Sequence, residues 1–134
     1  MWQVVAILSL IMWGLWGFIL KFVSKNVEWH QIYVIGSLIT IVISSLTAMI
    51  YKDRLLVSQR DAFIILVSST AGALGYIFFI MALKDGKASI VVPLTALYPA
   101  IAVVLSYIIL HEEITPLQLI GIILGIIAAV LLST

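Results

Sequence analysis

The stretch Ser89–Glu113, SIVVPLTALYPAIAVVLSYIILHEE, decides the fold. Up to its closing His-Glu-Glu it is almost wholly apolar, and it is long enough to cross a bilayer core, which takes roughly 20 apolar residues per helix. Yet Pro93 and Pro99 interrupt it. Neither can donate a backbone hydrogen bond, so the carbonyls of Ser89 and Thr95 lose their helical partners and the helix bends. Lipid offers no water to replace those partners. Freed backbone groups at that depth survive only when buried in protein or facing a water-lined cavity. Broken helices near the midplane are a recurring device of transporters, which makes Pro93 and Pro99 candidate hinge and gating residues. A kink tolerated for packing alone is the alternative.

Composition extends this reading to the whole chain. Of 134 residues, 64% are hydrophobic and 10% charged, against roughly 25% charged in soluble domains. One core cannot hide that much apolar surface, so the solvent is lipid. The net charge of +1 gives no reason to expect a nucleic-acid partner. The absence of cysteine excludes disulfides, thiolate metal sites and cysteine nucleophiles. No metal or cofactor is expected, and no nucleophile, base and orienting group converge to suggest an enzyme. The opening MWQVVAILSL lacks a basic leading region and reads as a retained first span, not a removable signal.

Charged clusters divide the chain into five spans, at approximately 2–20, 32–50, 62–83, 88–110 and 116–132. The expected fold is therefore an all-α integral membrane protein of five transmembrane helices in a single domain, 1–134. Short connections make consecutive helices antiparallel neighbours. Thr115-Pro116-Leu117-Gln118 predicts a capping box, with Thr at the N-cap and Pro at the first helical position. Ser58 and Asp61 offer a weaker version before the third span. Lys84 and Gly86 mark the end of that span, with a cation near the negative end of its dipole.

Lys and Arg counts in short loops set orientation. One side would carry Lys52, Arg54 and Arg60, the other Lys21, Lys25, Lys84 and Lys87. That bias is nearly nil, so the chain is expected to insert both ways and pair with an inverted copy of itself. Orientation by one dominant loop is the rival reading.

No ionisable residue lies deep in a span. Lys21, Lys84, Glu112 and Glu113 all sit at span ends, where Lys21 reads as a snorkelling anchor or as a cation at a cavity mouth. Glu112 and Glu113 precede a helix N-terminus, which favours carboxylates. Trp2 and Trp29 fit the interfacial aromatic belt, whereas Trp13 and Trp16 lie mid-span and need another explanation. Tyr76 brings a hydroxyl into the third span beside Ser68, Gly72 and Gly75. Thr95 and Tyr98 share a face of the fourth. Trp13, Trp16, Tyr76, Thr95 and Tyr98 are the candidate substrate-binding residues, lining one polar-aromatic cavity. Gly121, Gly125 and Ala129 form a small-residue stripe on the last helix, suited to dimer packing.

These residues resemble a family. WGLWGFILK (13–21), ALKDGKASIVVPLTALYP (82–99) and LHEEITPLQLIGIILGIIAAVLL (110–132) are similar to a single EamA domain of the drug/metabolite transporter superfamily, over nearly the whole chain. The resemblance implies one five-helix repeat where full-length members carry two in opposite orientation. It matches Trp13 and Gly14 to the family's tryptophan-glycine, Lys21 to its trailing lysine and Glu112 to the glutamate of its glycine-glutamate pair. His111 stands in place of the glycine. The resemblance also implies a cavity lined by the first, third and fourth helices, and fifth helices that hold repeats together.

The expected function is therefore transport of a small metabolite or amphipathic compound by alternating access, through an antiparallel homodimer in a prokaryotic plasma membrane. The alternatives are a non-transporting scaffold or accessory subunit, half of a heterodimeric transporter, and a small-multidrug-type exporter. The last relies on a first-helix carboxylate for proton coupling, and the first span here has no Asp or Glu.

Overall fold

A computed structural model describes residues 2–52 and 55–133, with the side chains of 132 and 133 left aside. Arg54, one member of the charge tally, lies outside the described residues. Those residues are helical and contain no strand: α1 (Trp2–Ser24), α2 (Trp29–Ile50), α3 (Gln59–Asp85), α4 (Ala88–Thr95), α5 (Tyr98–Leu105), a π-helical turn (Ser106–Leu110) and α6 (Pro116–Ser133). Among them, Trp2–Ser24, Trp29–Ile50, Gln59–Asp85 and Ala88–Leu110 are long and apolar enough to cross a membrane, and Pro116–Leu131 is a shorter apolar helix. Leu, Ile, Val and Phe side chains stand exposed along all of these helices. In water that surface would collapse; in a bilayer it is the solvated face, as expected of an integral membrane protein.

The helix ends follow their cap chemistry. The box at Thr115 forms, with Thr115 N–H donating to Gln118 Oε1 at 2.9 Å and Gln118 N–H to Thr115 Oγ1 at 3.3 Å. At Ser58 only half of the arrangement is a true cap: Asp61 N–H donates to Ser58 Oγ at 3.1 Å, while the Ser58 hydroxyl donates to Asp61 Oδ2 at 2.7 Å. This helix start adds polar residues ahead of the apolar run, so α3 begins at Gln59 and not at 62. Before α2 the Glu28 N–H donates to Gln31 Oε1 at 3.1 Å, satisfying a donor that would otherwise be orphaned.

The chain divides into two compact units. One comprises Leu20–Asp85. Its core is small: Ile32, Phe79, Ile80 and Leu83 are buried where α2 packs on α3, and Ser24 is buried with them. Lys21 Nζ donates to the Leu83 carbonyl, with the Ser24 hydroxyl 3.2 Å from the same oxygen. Leu83 lies in the last turn of α3, whose carbonyls have no intrahelical donors. Lys21 thus places its cation on the negative end of a helix dipole, a use that neither sequence reading of it anticipated. Next to it, Lys84 Nζ bridges the two carboxylate oxygens of Glu28 at 2.8 and 2.9 Å.

The other unit comprises Met1–Ile19 with Gly86–Thr134. In it α4 packs against α6, burying Val91 and Ala129. The fourth span is not one helix. It stops at Thr95, turns through Ala96 (ψ 0°) and Leu97 (ψ −11°), and restarts at Tyr98. Leu97 N–H reaches back only three residues, to Leu94 O at 3.3 Å, and Ala100 N–H does the same to Leu97 O at 2.9 Å. The second proline explains the restart. Pro99 falls in the first turn of α5, where a missing N–H costs nothing and the fixed φ favours helix. Pro93 lies inside α4 and removes the donor to Ser89 O.

Candidate functional site

The break at Ala96–Leu97 places Tyr98 as the first residue of α5, and its ring meets Trp13 of α1, with centroids 6.1 Å apart and planes tilted by 59°. A tilted pair at that distance contributes about 0.5–1.5 kcal/mol beyond area burial. Trp13 and Tyr98 nonetheless remain 60% and 53% exposed, so both faces are open to a ligand, to lipid or to a partner. Trp16 lies one turn along α1 from Trp13 and also remains partly exposed. Thr95, the last residue of α4, turns its hydroxyl back onto Val91 O (2.8 Å) and Val92 O (3.0 Å). Its only donor is thus spent on carbonyls of its own helix, a back-bond that favours bending of the last turn of α4.

Tyr76 belongs to the Leu20–Asp85 unit and has a different neighbourhood. Its ring packs on Tyr33 of α2 with centroids 5.6 Å apart, and its hydroxyl reaches over Gly36. The structure therefore joins Trp13 with Tyr98 and sets Thr95 across the break from them, while Tyr76 is joined to Tyr33. Tyr33 and Gly36 were not singled out in the sequence, although a tyrosine three residues before a glycine marks the one helix face where another ring can approach closely.

Two cavities lie between the fourth span and α6 within the Met1–Ile19 and Gly86–Thr134 unit, one beside the break and one beyond it at the start of α6. One, of about 260 Å³, lies between Pro93, Leu97 and Pro99 on one wall and Gly125 and Ala129 of α6 on the other. A second, of about 440 Å³, is bounded by Ser106, Glu112, Glu113, Gln118 and Gly121. Of the small-residue stripe, Ala129 is only 4% exposed within its own chain, and added methyl groups on Gly121 or Gly125 would meet nothing within 4 Å.

Beyond α5 the backbone widens into a π turn. The His111 N–H donates to Ser106 O five residues back, and the Glu112 N–H reaches the same carbonyl at 3.3 Å. His111 itself is left-handed, with φ 54° and ψ 33°, the one non-glycine residue with positive φ among those described. It occupies the place where the family resemblance implies glycine, and the tight turn forms there all the same.

Charge lies at the ends of the helices. Lys84 hydrogen-bonds and attracts the Glu28 carboxylate, which holds that carboxyl below its ordinary value. Among the described residues, no group of three or more His, Cys, Asp or Glu side chains is gathered to hold a metal ion.

Comparison with known proteins places this geometry. The model of the EamA-like transporter family matches residues 1–134. An uncharacterized protein of Methanocaldococcus jannaschii is 32% identical over 130 residues, covering 97% of this chain and 94% of that relative. No solved structure matches.

Proposed function

The chain belongs to the EamA-like transporter family, and on that premise we propose that it carries a small metabolite or amphipathic compound across the membrane by alternating access, as an antiparallel homodimer. The observation that carries this reading is the interruption of the fourth span at Ala96–Leu97, between Pro93 and Pro99. At the break the regular helical hydrogen bonds give way to tighter three-residue turns, and interruptions of this kind are where transporter helices move around a midplane site. Trp13 and Tyr98 stand at that joint and offer aromatic faces with one hydroxyl.

The absence of ionisable residues deep in α1, α4 and α5 suits a neutral, zwitterionic or amphipathic substrate better than a bare ion. Thr95 contributes by holding the end of α4. Trp16, one turn away on α1, is assigned to the same site, and Tyr76 of α3 is kept in the proposal as a substrate-binding residue of its own unit. One repeat supplies half of a two-repeat architecture, and an inverted second copy supplies the other half. The nearly equal loop charges support insertion in both orientations. The membrane is proposed to be a prokaryotic plasma membrane.

Purified protein in liposomes tests this directly. Flux of metabolites down a gradient is expected, with Trp13→Ala and Tyr98→Ala each lowering it at least several-fold while the protein remains folded and dimeric. A scaffold would show no flux above empty liposomes.

A further inference from the structure

The two cavities beside the broken span adjoin, since Val103 and Ile122 line both. Together they form one groove between the fourth span and α6. Its two ends differ in chemistry. The inner end is lined by apolar residues alone, among them Pro93, Leu97, Ile126 and Ala129. The outer end, where α6 begins, carries the Glu112 and Glu113 carboxylates with Ser106 and Gln118.

From Gln118 to Ala129 the groove runs about 16 Å along the α6 axis, at ~1.5 Å per residue. An apolar cavity of about 150 Å³ already stays dry and accepts a benzene ring, so 260 Å³ at the inner end admits a larger hydrocarbon segment. At the outer end no lining residue is basic, and neither carboxylate has a hydrogen-bond or ion-pair partner among the described residues. The Gln118 carbonyl oxygen is already taken by the cap on Thr115. Negative charge at the mouth and hydrocarbon below it define the complementary ligand.

We propose that this groove binds a cationic amphiphile, with an amine or quaternary ammonium head against Glu112 and Glu113 and an alkyl chain laid along α6 to the break at Ala96–Leu97. The ordinary phospholipid head is the wrong match, because its phosphate would face two carboxylates with no Lys or Arg to receive it. A second copy seated on the small-residue stripe is the rival occupant. Ala129 argues against it, being already buried within its own chain. The site does not rest on the transport reading, since binding is measured without flux.

The test uses the full chain in nanodiscs of zwitterionic lipid, with dodecylamine carrying a diazirine at the chain terminus as the probe. After photolysis the adducts are mapped by mass spectrometry. Saturable labelling is expected within residues 96–103 and 122–129, resisted by excess unlabelled dodecylamine but not by dodecanol. Glu112→Gln with Glu113→Gln should reduce labelling at sub-saturating probe about tenfold, the equivalent of losing one good charge-assisted contact. Gly125→Leu, which fills the inner end and leaves the carboxylates in place, should abolish it. Adducts spread over all helices in proportion to lipid exposure would overturn the proposal. So would labelling that the double variant leaves unchanged, or a Gly125→Leu protein whose defect is loss of the dimer with no saturable labelling in the parent.

Discussion

The hydroxyl of Tyr76 on α3 lies 2.9 Å from the point where a side-chain carbon would stand on Gly36 of α2. A side-chain carbon there would require the tyrosine ring to shift. The glycine leaves room for the Tyr76 hydroxyl against α2.

Gly36→Ala should accordingly destabilise the protein by about 1–3 kcal/mol, the usual cost of overpacking, although alanine is the better helix former by about 1 kcal/mol. Unfolding in detergent measures it. Combining Gly36→Ala with Tyr76→Phe removes the clashing oxygen and should recover much of the loss. Equal destabilisation in both backgrounds would show that the hydroxyl is not the cause.

His111 tests the other conformational constraint. A side chain in the left-handed region costs about 1–2 kcal/mol, and glycine does not bear that cost. His111→Gly is expected to stabilise by up to about 1 kcal/mol, and His111→Val to destabilise by more than that because of its branched side chain. A stabilising His111→Val would contradict the positive φ seen at this residue.

The pair formed by Glu28 and Lys84 predicts a pH dependence. Because Lys84 lowers the Glu28 carboxyl from its ordinary value of 4.5, the folded state binds that proton less readily than the unfolded chain. Its contribution is fully present above the ordinary carboxylate value and is lost as pH falls through the lowered one. Both side chains are exposed, so salt screens the effect. Thermal unfolding of the parent and of Glu28→Gln should converge in acid and separate towards neutral pH, most clearly at low salt. Parallel curves across that range would remove the linkage.

The joint in the fourth span is tested by Pro99→Ala. Alanine restores a donor for the Thr95 carbonyl and lets the helix close across Ala96 and Leu97. Transport is expected to fall several-fold while thermal stability is kept or raised, which separates loss of motion from loss of fold. Unchanged flux in a variant with a continuous helix would mean that the break is packing alone.

Much of the architecture was legible because lipid leaves few choices: apolar runs of the right length between charged clusters can only be spanning helices. The capping box at Thr115 was legible for the same local reason, its partners being three residues apart. Prolines 93 and 99 announced an interruption, but not that the second would begin a new helix. Contacts distant in sequence were not readable. Lys21 reaching Leu83, and Tyr76 settling over Gly36, depend on which helix faces meet, and apolar faces exposed all round carry little directional signal. The π turn before His111 left no mark either, because each of its residues is equally compatible with an α-helix.

The most direct measurement of the central claim is the sidedness of one position. The chain has no cysteine, so Val57→Cys, in the exposed connection between α2 and α3, supplies a single reporter. Sealed vesicles are treated with a membrane-impermeant maleimide before and after permeabilisation. An inverted homodimer predicts that about half of the copies react from outside and the remainder only once the membrane is opened. Reaction of all copies from one side would contradict it.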